Sequence, residues 1–119
     1  MWGILLFAVM TVAQVEKLLE QGRNLSANPL QRLEQRLKTN PYDAAARIQL
    51  LAWYTENAST AGEATAKAAR VDHILWFLEN DAKNPVLTHA SGVGKLNCET
   101  KPTSRDEERA CELQGRARK

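Results

Sequence analysis

The stretch Val71-Asp72-His73-Ile74-Leu75-Trp76-Phe77-Leu78 is the densest apolar run of the chain after its first dozen residues. It lies in a segment, residues 60–81, whose apolar residues recur every three or four positions and so share one face of a helix. That face consists of Ala61, Ala64, Ala68, Val71, Leu75 and Leu78. Because burying a large apolar side chain contributes roughly 1.5–3 kcal/mol, we predict that this helix is central and that Leu75 and Trp76 anchor the fold.

Three shorter helices are predicted before the central one. They span residues 15–25, 29–38 and 41–56. Asn28 followed by Pro29 is a helix start, since proline fits the first helical position. Asp43 lies in the first turn of the third helix, where the helix dipole stabilises a carboxylate. The turn at 57–59 is so short that the helices on either side of it are predicted to be antiparallel.

Composition is typical of a soluble globular protein. The chain has 119 residues, of which 25% are charged and 44% apolar, and this length suggests one domain. No alternating strand pattern of useful length is present, so the predicted fold is all-α, a short antiparallel array of about four helices. Residues 1–94 carry nine basic and nine acidic side chains, and the rest carry seven and five. Without a basic stripe for a phosphate backbone, nucleic-acid binding is not expected.

The start of the chain is apolar from residue 2 to residue 13, except for Thr11. Twelve residues are too few to span a bilayer as a helix, which takes about 20, so no stable membrane span is predicted. The length suits the apolar region of a signal peptide, and Thr11-Val12-Ala13 supplies small residues for a cut before Gln14. Residues 1–13 are therefore predicted to be a signal peptide of a secreted or periplasmic protein. The alternative is a buried first helix in a cytoplasmic protein.

Residues 33–85 resemble a known repeat family. Asn40-Pro41-x-Asp43, Arg47, Leu50-Leu51, Tyr54, Ala64 and Asn84-Pro85 are similar to a tetratricopeptide-type helix pair, as found in uncharacterised bacterial proteins that are often exported. The resemblance implies a helical domain over residues 14–85 that acts as a protein–protein interaction module. It covers one helix pair, whereas a solenoid generally needs three or more repeats to bury a continuous core. The chain is therefore expected to be a short or truncated relative of this family, or to borrow a partner, either another protein or a second copy of itself in a homo-oligomer.

After Pro85 the helical periodicity stops, and residues 86–119 are predicted to be a polar tail, of which residues 95–119 are not required for folding. Residues 95–103 are predicted to be disordered. Ser104 and Glu107 have capping-box spacing, which favours a weak helix over residues 104–116. In an oxidising compartment Cys98 and Cys111 can form a disulfide. The alternative is two free thiols in a mobile tail.

Candidate functional residues are few. Arg47, Arg70 and His73 are predicted to line a polar groove between the two long helices, although Arg47 can instead pair with Asp43 and His73 can be a polar edge residue. The cysteine spacing matches no zinc site, so no metal or cofactor is predicted. Because no nucleophile–base pair or paired carboxylates stand out, the protein is not predicted to be an enzyme. The alternatives are a self-associating structural subunit, a small enzyme and a ligand-binding helical domain.

Overall fold

The computed structural model describes residues 9–117, with the backbone alone for Ala117. Within these residues the chain forms six α-helices and one 3₁₀ helix, and no strand. The elements are α1 (Val12–Arg23), α2 (Ala27–Thr39), α3 (Ala44–Glu56), α4 (Ala58–Ala61), α5 (Glu63–Asn80), the 3₁₀ helix (Pro85–Thr88) and α6 (Arg105–Ala117). The prediction of an all-α fold is confirmed.

The central helix is α3, not the segment around residues 71–78. Seven of its thirteen residues are buried, and they face in two directions. Ile48 and Leu51 join the larger core cluster, which contains side chains of α1, α5, the 3₁₀ helix and α6. Leu50 and Tyr54 join a smaller cluster with Leu33 of α2 and with the first half of α5. The described residues thus form two cores, and α3 contributes side chains to both.

The backbones of α1 and α3 approach each other closely at Gly22. A Cβ atom on this residue would overlap the backbone of Gln49, so a glycine is required here. Val15 and Leu19, on the same side of α1, are fully buried in the larger cluster. The periodicity predicted this helix and its buried face.

The first turn of α1 contains the residues proposed for signal-peptide cleavage. The hydroxyl of Thr11 accepts a hydrogen bond from the Gln14 amide at 3.1 Å, and the Gln14 side chain accepts one from the Thr11 amide at 2.8 Å. This is a reciprocal capping box. The signal-peptide prediction for residues 1–13 lies mostly outside the described residues, since the description begins at Val9.

The starts of α2 and α3 are set by other residues than predicted. Helix α2 begins at Ala27 with Ser26 as its N-cap, which places Pro29 inside the first turn. Proline is tolerated there because the first amides of a helix have no intrahelical partner. Asp43 is the N-cap of α3, and its Oδ1 accepts a hydrogen bond from the Ala46 amide at 3.0 Å.

The predicted helix over residues 60–81 is interrupted at its start. The turn predicted at 57–59 is instead the beginning of α4, and α5 begins only at Glu63. Between them Gly62 has φ of +95°, a conformation that side-chain-bearing residues rarely adopt. The helix therefore begins at this glycine junction and not at residue 60, because Gly62 occupies the N-cap of α5.

The buried face of α5 differs from the predicted one by about one residue. Ile74 and Phe77 are fully buried, whereas Leu75 and Leu78 are only partly buried at the edge of the larger cluster. One residue corresponds to about 100° of rotation on a helix. The prediction that Leu75 and Trp76 are the main anchors is therefore wrong, and Ile74 and Phe77 have that place.

The segment after Pro85 is packed against the helices and is not a detached polar tail. Val86, Val93 and Leu96 are buried in the larger cluster. A Cβ atom on Gly94 would overlap the backbone of Val86, so this loop folds tightly onto the 3₁₀ helix. The prediction that residues 86–119 lie outside the fold is wrong.

Helix α6 packs against α5 and completes the core with Ala110, which is fully buried. The predicted cap forms, since the Ser104 hydroxyl accepts a hydrogen bond from the Glu107 amide at 3.1 Å. Glu107 is itself only 2% exposed, and its carboxylate lies 3.2 Å from Lys67 Nζ of α5. Cys98 and Cys111 form a disulfide that ties the preceding loop to α6.

Candidate functional site

A polar groove of about 310 Å³ lies between α2, α3 and α5. Its lining residues are Glu34, Leu37, Lys38, Arg47, Leu50, Tyr54, Ala69, Asp72 and His73. Each helix contributes residues spaced three or four apart, so the groove follows from the way the helices pack. Arg47 and His73, two of the three residues predicted from sequence to face a groove, meet here.

Arg47 is held in place by several partners. Its Nε donates a hydrogen bond to the Pro41 carbonyl at 3.0 Å, and one terminal nitrogen donates to His73 Nδ1 at 3.1 Å. Its guanidinium carbon lies 4.8 Å from the centre of the Trp76 ring, a cation–π contact. With 7% of its surface exposed, Arg47 is a buried and fixed group, not a mobile surface arginine.

The charge of Arg47 is balanced by Asp72, not by Asp43. Arg47 lies 3.6 Å from Asp72 Oδ2, whereas Asp43, which caps α3, pairs with Arg36 at 3.6 Å. Burial lowers the pKa of Arg47 below its ordinary value, and the charge of Asp72 opposes that shift. The alternative that Arg47 pairs with Asp43 is wrong, because Asp43 is turned toward the start of its own helix.

His73 is a buried neutral acceptor. Burial, assisted by the charge of Arg47, lowers the pKa of His73 to about 3. Since Arg47 donates to its Nδ1, the proton of the neutral ring lies on Nε2. The 3.9 Å contact between His73 and Asp72 is therefore not an ion pair at neutral pH. The prediction that His73 is a polar edge residue underestimates its burial, as only 6% of its surface is exposed.

The free energy of unfolding is expected to decrease as the pH is lowered, because of His73. Its pKa is about 3 in the folded chain and 6.5 ordinarily, so between these values the unfolded state binds more protons. The stabilisation is complete above pH 6.5 and decreases as pH falls toward 3. We expect urea unfolding to give a lower free energy of unfolding at pH 5 than at pH 7, and the change to be smaller in His73→Asn. The same pH dependence in His73→Asn as in the wild type would contradict the assignment.

Tyr54 of α3 and Glu34 of α2 also line the groove. The Tyr54 hydroxyl donates a hydrogen bond to Glu34 Oε1 at 3.1 Å. Burial raises the pKa of Tyr54 to about 12, with a further contribution from the Glu34 charge. Tyr54 therefore stays protonated and remains a donor at all physiological pH values.

An aromatic pair, Tyr42 and Trp76, lies beside Arg47. The ring centres are 6.2 Å apart, and the planes meet edge to face at 67°. Tyr42 is 61% exposed, one of the few large apolar side chains that face solvent among the described residues. Trp76 was predicted to be a core residue. Tyr42 was not predicted as a candidate binding residue, although the position of Tyr42 directly after Asn40-Pro41 indicated a loop.

Arg70, the third predicted groove residue, lies elsewhere. Its terminal nitrogen donates to the carbonyls of Val93 and Lys95, at 3.3 and 3.2 Å. Its buried Nε has no hydrogen-bond partner among the described residues, and burial lowers the pKa of Arg70. Arg70 thus holds the loop before α6 in place, and its assignment to the groove with Arg47 is wrong.

A second polar cluster, unrecognised in the sequence, joins α1 to the loop after the 3₁₀ helix. The Ser91 hydroxyl lies 2.8 Å from His89 Nδ1, and His89 Nε2 lies 3.5 Å from Glu16 Oε1. The His-x-Ser spacing in the sequence would have indicated two members of this cluster, His89 and Ser91. Glu16 is distant in sequence, and only the packing of α1 brings it near.

Residues 9–117 contain neither a metal-binding cluster nor a membrane-spanning helix. No cluster of three or more histidine, cysteine, aspartate or glutamate side chains there could hold a metal ion. No helix in that part of the chain is long and apolar enough to cross a membrane. No protein-family model, curated protein or solved structure matches the chain.

Proposed function

We propose that the chain is a non-enzymatic protein–protein interaction module that binds its partner at the groove between α2, α3 and α5. The observation that carries this proposal is Arg47, fixed between His73 and the ring of Trp76, with the exposed Tyr42 beside it. Arginine, tryptophan and tyrosine are the residues most enriched at binding hot spots. Because Arg47 is already ordered, little side-chain entropy is lost when a partner binds.

The charges of the groove favour a protein segment as the partner. Glu34 and Asp72 supply negative charge, while Lys38 and Arg47 supply positive charge. A nucleic acid would require a surface of one positive sign. A peptide that carries both charges and an apolar side chain matches the groove better, and binding of this kind needs no cofactor.

The helix pair of the proposed module consists of α3 and α5, which α4 connects. We infer an antiparallel, tetratricopeptide-like arrangement for this pair, supported by the short connection and by the resemblance over residues 33–85. Helix α2 packs on the opposite side of the smaller core through Leu33. In this proposal it supplies the third wall of the groove, as a neighbouring repeat would in a longer array.

Export of the protein is part of the proposal. Disulfides persist in oxidising compartments, so the Cys98–Cys111 bond supports a secreted or periplasmic protein. Cleavage after Ala13 would remove the Thr11 cap of α1, which costs about 1 kcal/mol and is tolerable in a folded domain. Mass spectrometry of the exported protein is expected to find Gln14 at its N-terminus; an intact cytosolic chain would contradict export.

Site-specific photo-crosslinking tests the groove. A photoreactive phenylalanine at Tyr42, and another photoreactive residue at Lys38, should capture the same protein in the envelope fraction. The same group at Glu99, on the far loop beside Cys98, is the control and should not capture it. Cross-links to a second copy of the chain alone would support a self-associating structural subunit instead. Equal capture from Tyr42 and Glu99 would contradict the groove as the binding surface.

A further inference from the structure

We propose that Ser91 is an activated nucleophile that accepts an acyl group from small esters. The site is the cavity that Ser91 lines between α1, α3 and the loop after the 3₁₀ helix. This site shares no residue with the binding groove and goes beyond the proposed interaction role, so the non-enzymatic role proposed above concerns the groove alone.

The polar groups around Ser91 lie in the order nucleophile, base and carboxylate. Both the hydroxyl and the backbone amide of Ser91 approach His89 Nδ1, at 2.8 and 3.1 Å. Since the amide can only donate, Nδ1 is an acceptor, and the ring proton lies on Nε2. Nε2 itself lies 3.5 Å from Glu16 Oε1, within ion-pair distance. The imidazole is thus oriented to take the Ser91 proton while Glu16 stabilises the resulting positive charge.

Two further features suit this role. The amide of Val93 donates to Ser91 Oγ at 3.3 Å, which stabilises negative charge as the hydroxyl loses its proton. The imidazole of His89 is largely buried, with 14% of the side chain exposed, whereas Glu16 is open to solvent. His89 is therefore fixed, and Glu16 acts as a positioning residue.

The cavity beside Ser91 sets the size of the substrate. It encloses about 200 Å³, and its walls include Leu19, Ala52 and Val93. Pockets for drug-sized ligands are larger, about 300–1,000 Å³. Arg23 and Glu56 are also part of the lining, so the apolar walls are bordered by charge. The substrate that fits is an ester with a short apolar acyl chain.

The reaction proceeds in two balanced steps. Ser91 Oγ forms a bond to the ester carbonyl carbon as its proton moves to His89 Nδ1. The bond from that carbon to the leaving oxygen then breaks, and the leaving group takes the proton from Nδ1 and departs as an alcohol. Water attacks the acyl-serine with His89 again as base, which releases a carboxylic acid and restores Ser91.

The same geometry makes ester turnover at Ser91 slow. Once Nδ1 carries a proton, the Ser91 amide loses its acceptor, so each protonation of His89 costs a backbone hydrogen bond. We therefore expect covalent labelling with one acyl group per chain to be observed more readily than rapid turnover.

Labelling of the folded full chain tests the proposal. A small alkyl fluorophosphonate and p-nitrophenyl butyrate are the probes, with intact mass and peptide mapping as readouts. We expect one adduct per chain, on Ser91, that is lost in urea and in Ser91→Ala, and faster reaction with butyrate than with octanoate. Absence of an adduct, or an adduct at another residue, would overturn the proposal.

Matched variants separate activation from simple exposure. His89→Asn keeps an oxygen acceptor for the Ser91 amide but removes the base, and it should slow labelling by about 10²-fold. Glu16→Gln should slow labelling and change its pH profile, since it removes the charge beside the imidazole. Ser59→Ala, at an exposed position of α4, should label as the wild type does. An unchanged rate in His89→Asn would mean that Ser91 is an ordinary surface serine.

Discussion

Replacing Phe77 with alanine is expected to lower the free energy of unfolding by about 3–5 kcal/mol, the typical cost of removing a buried phenylalanine. Phe77 is fully buried and is the largest of the fully buried side chains among the described residues. A domain of this size has a total stability of only about 5–15 kcal/mol, and each kcal/mol lost lowers Tm by roughly 4–8 °C. Thermal melting followed by circular dichroism should therefore give a large fall in Tm, or a chain that is partly unfolded at 25 °C.

The matched control is Leu75→Ala, on the face of α5 that the periodicity predicted to be buried. Leu75 is only partly buried at the edge of the larger cluster, so we expect a cost of about 1–2 kcal/mol, below that of a buried leucine. If Leu75→Ala unfolded the protein while Phe77→Ala was tolerated, the helix would bury the predicted face instead. The two variants together therefore determine the rotation of α5.

The rotation of α5 was difficult to predict because both candidate faces are apolar. Val71 belongs to either face, and the choice is between Ile74 with Phe77 and Leu75 with Leu78, which have similar volumes. Spacing distinguishes faces only when polar residues occupy the other side. Here His73, a polar residue, is buried, since Arg47 supplies its hydrogen bond from another helix.

The groove was predicted in part. Arg47 and His73 were predicted to line a groove between the two long helices, but their hydrogen bond to each other was not predicted. Arg70, three residues before His73, was assigned to the same groove. That inference fails because residues three apart on a helix differ by about 60° in direction, and Arg70 faces the loop before α6. The packing of that loop determines the direction in which Arg70 faces, and no local sequence pattern indicates this packing.

The C-terminal segment was misjudged for a similar reason. Val86, Val93, Leu96 and Ala110 are buried, but each stands in the sequence next to at least one proline, glycine or charged residue. Isolated apolar residues give no helical or strand period, so the segment resembles a disordered tail in its composition. Glu107, as a charged residue, also favoured an exposed tail. In the fold its carboxylate is buried against Lys67 and against the amide and hydroxyl of Thr103.

Deleting residues 95–119 is expected to remove most of the folded stability. The deletion takes away two core side chains, Leu96 and Ala110, and the carbonyl of Lys95 that accepts a hydrogen bond from Arg70. Burial of a leucine alone contributes roughly 1.5–3 kcal/mol, and the face of α5 that α6 covers would become exposed to water. We expect urea denaturation of the truncated chain to begin in dilute urea, with a smaller m-value because less surface is buried.

Two controls separate the packing of α6 from its covalent attachment. The double variant Cys98→Ser and Cys111→Ser keeps the apolar contacts and removes the disulfide, which for a loop of this length contributes about 3 kcal/mol. Its loss should be smaller than that of the truncation, because Gln114 still forms two hydrogen bonds with the backbone of Leu96, each at 2.9 Å. Deleting only residues 116–119 should change the unfolding midpoint little, since Arg116 is exposed. If the truncation to Gly94 melted as the full chain does, α6 would contribute nothing to the core, and Ala110 and Glu107 would have to be solvent-exposed in solution.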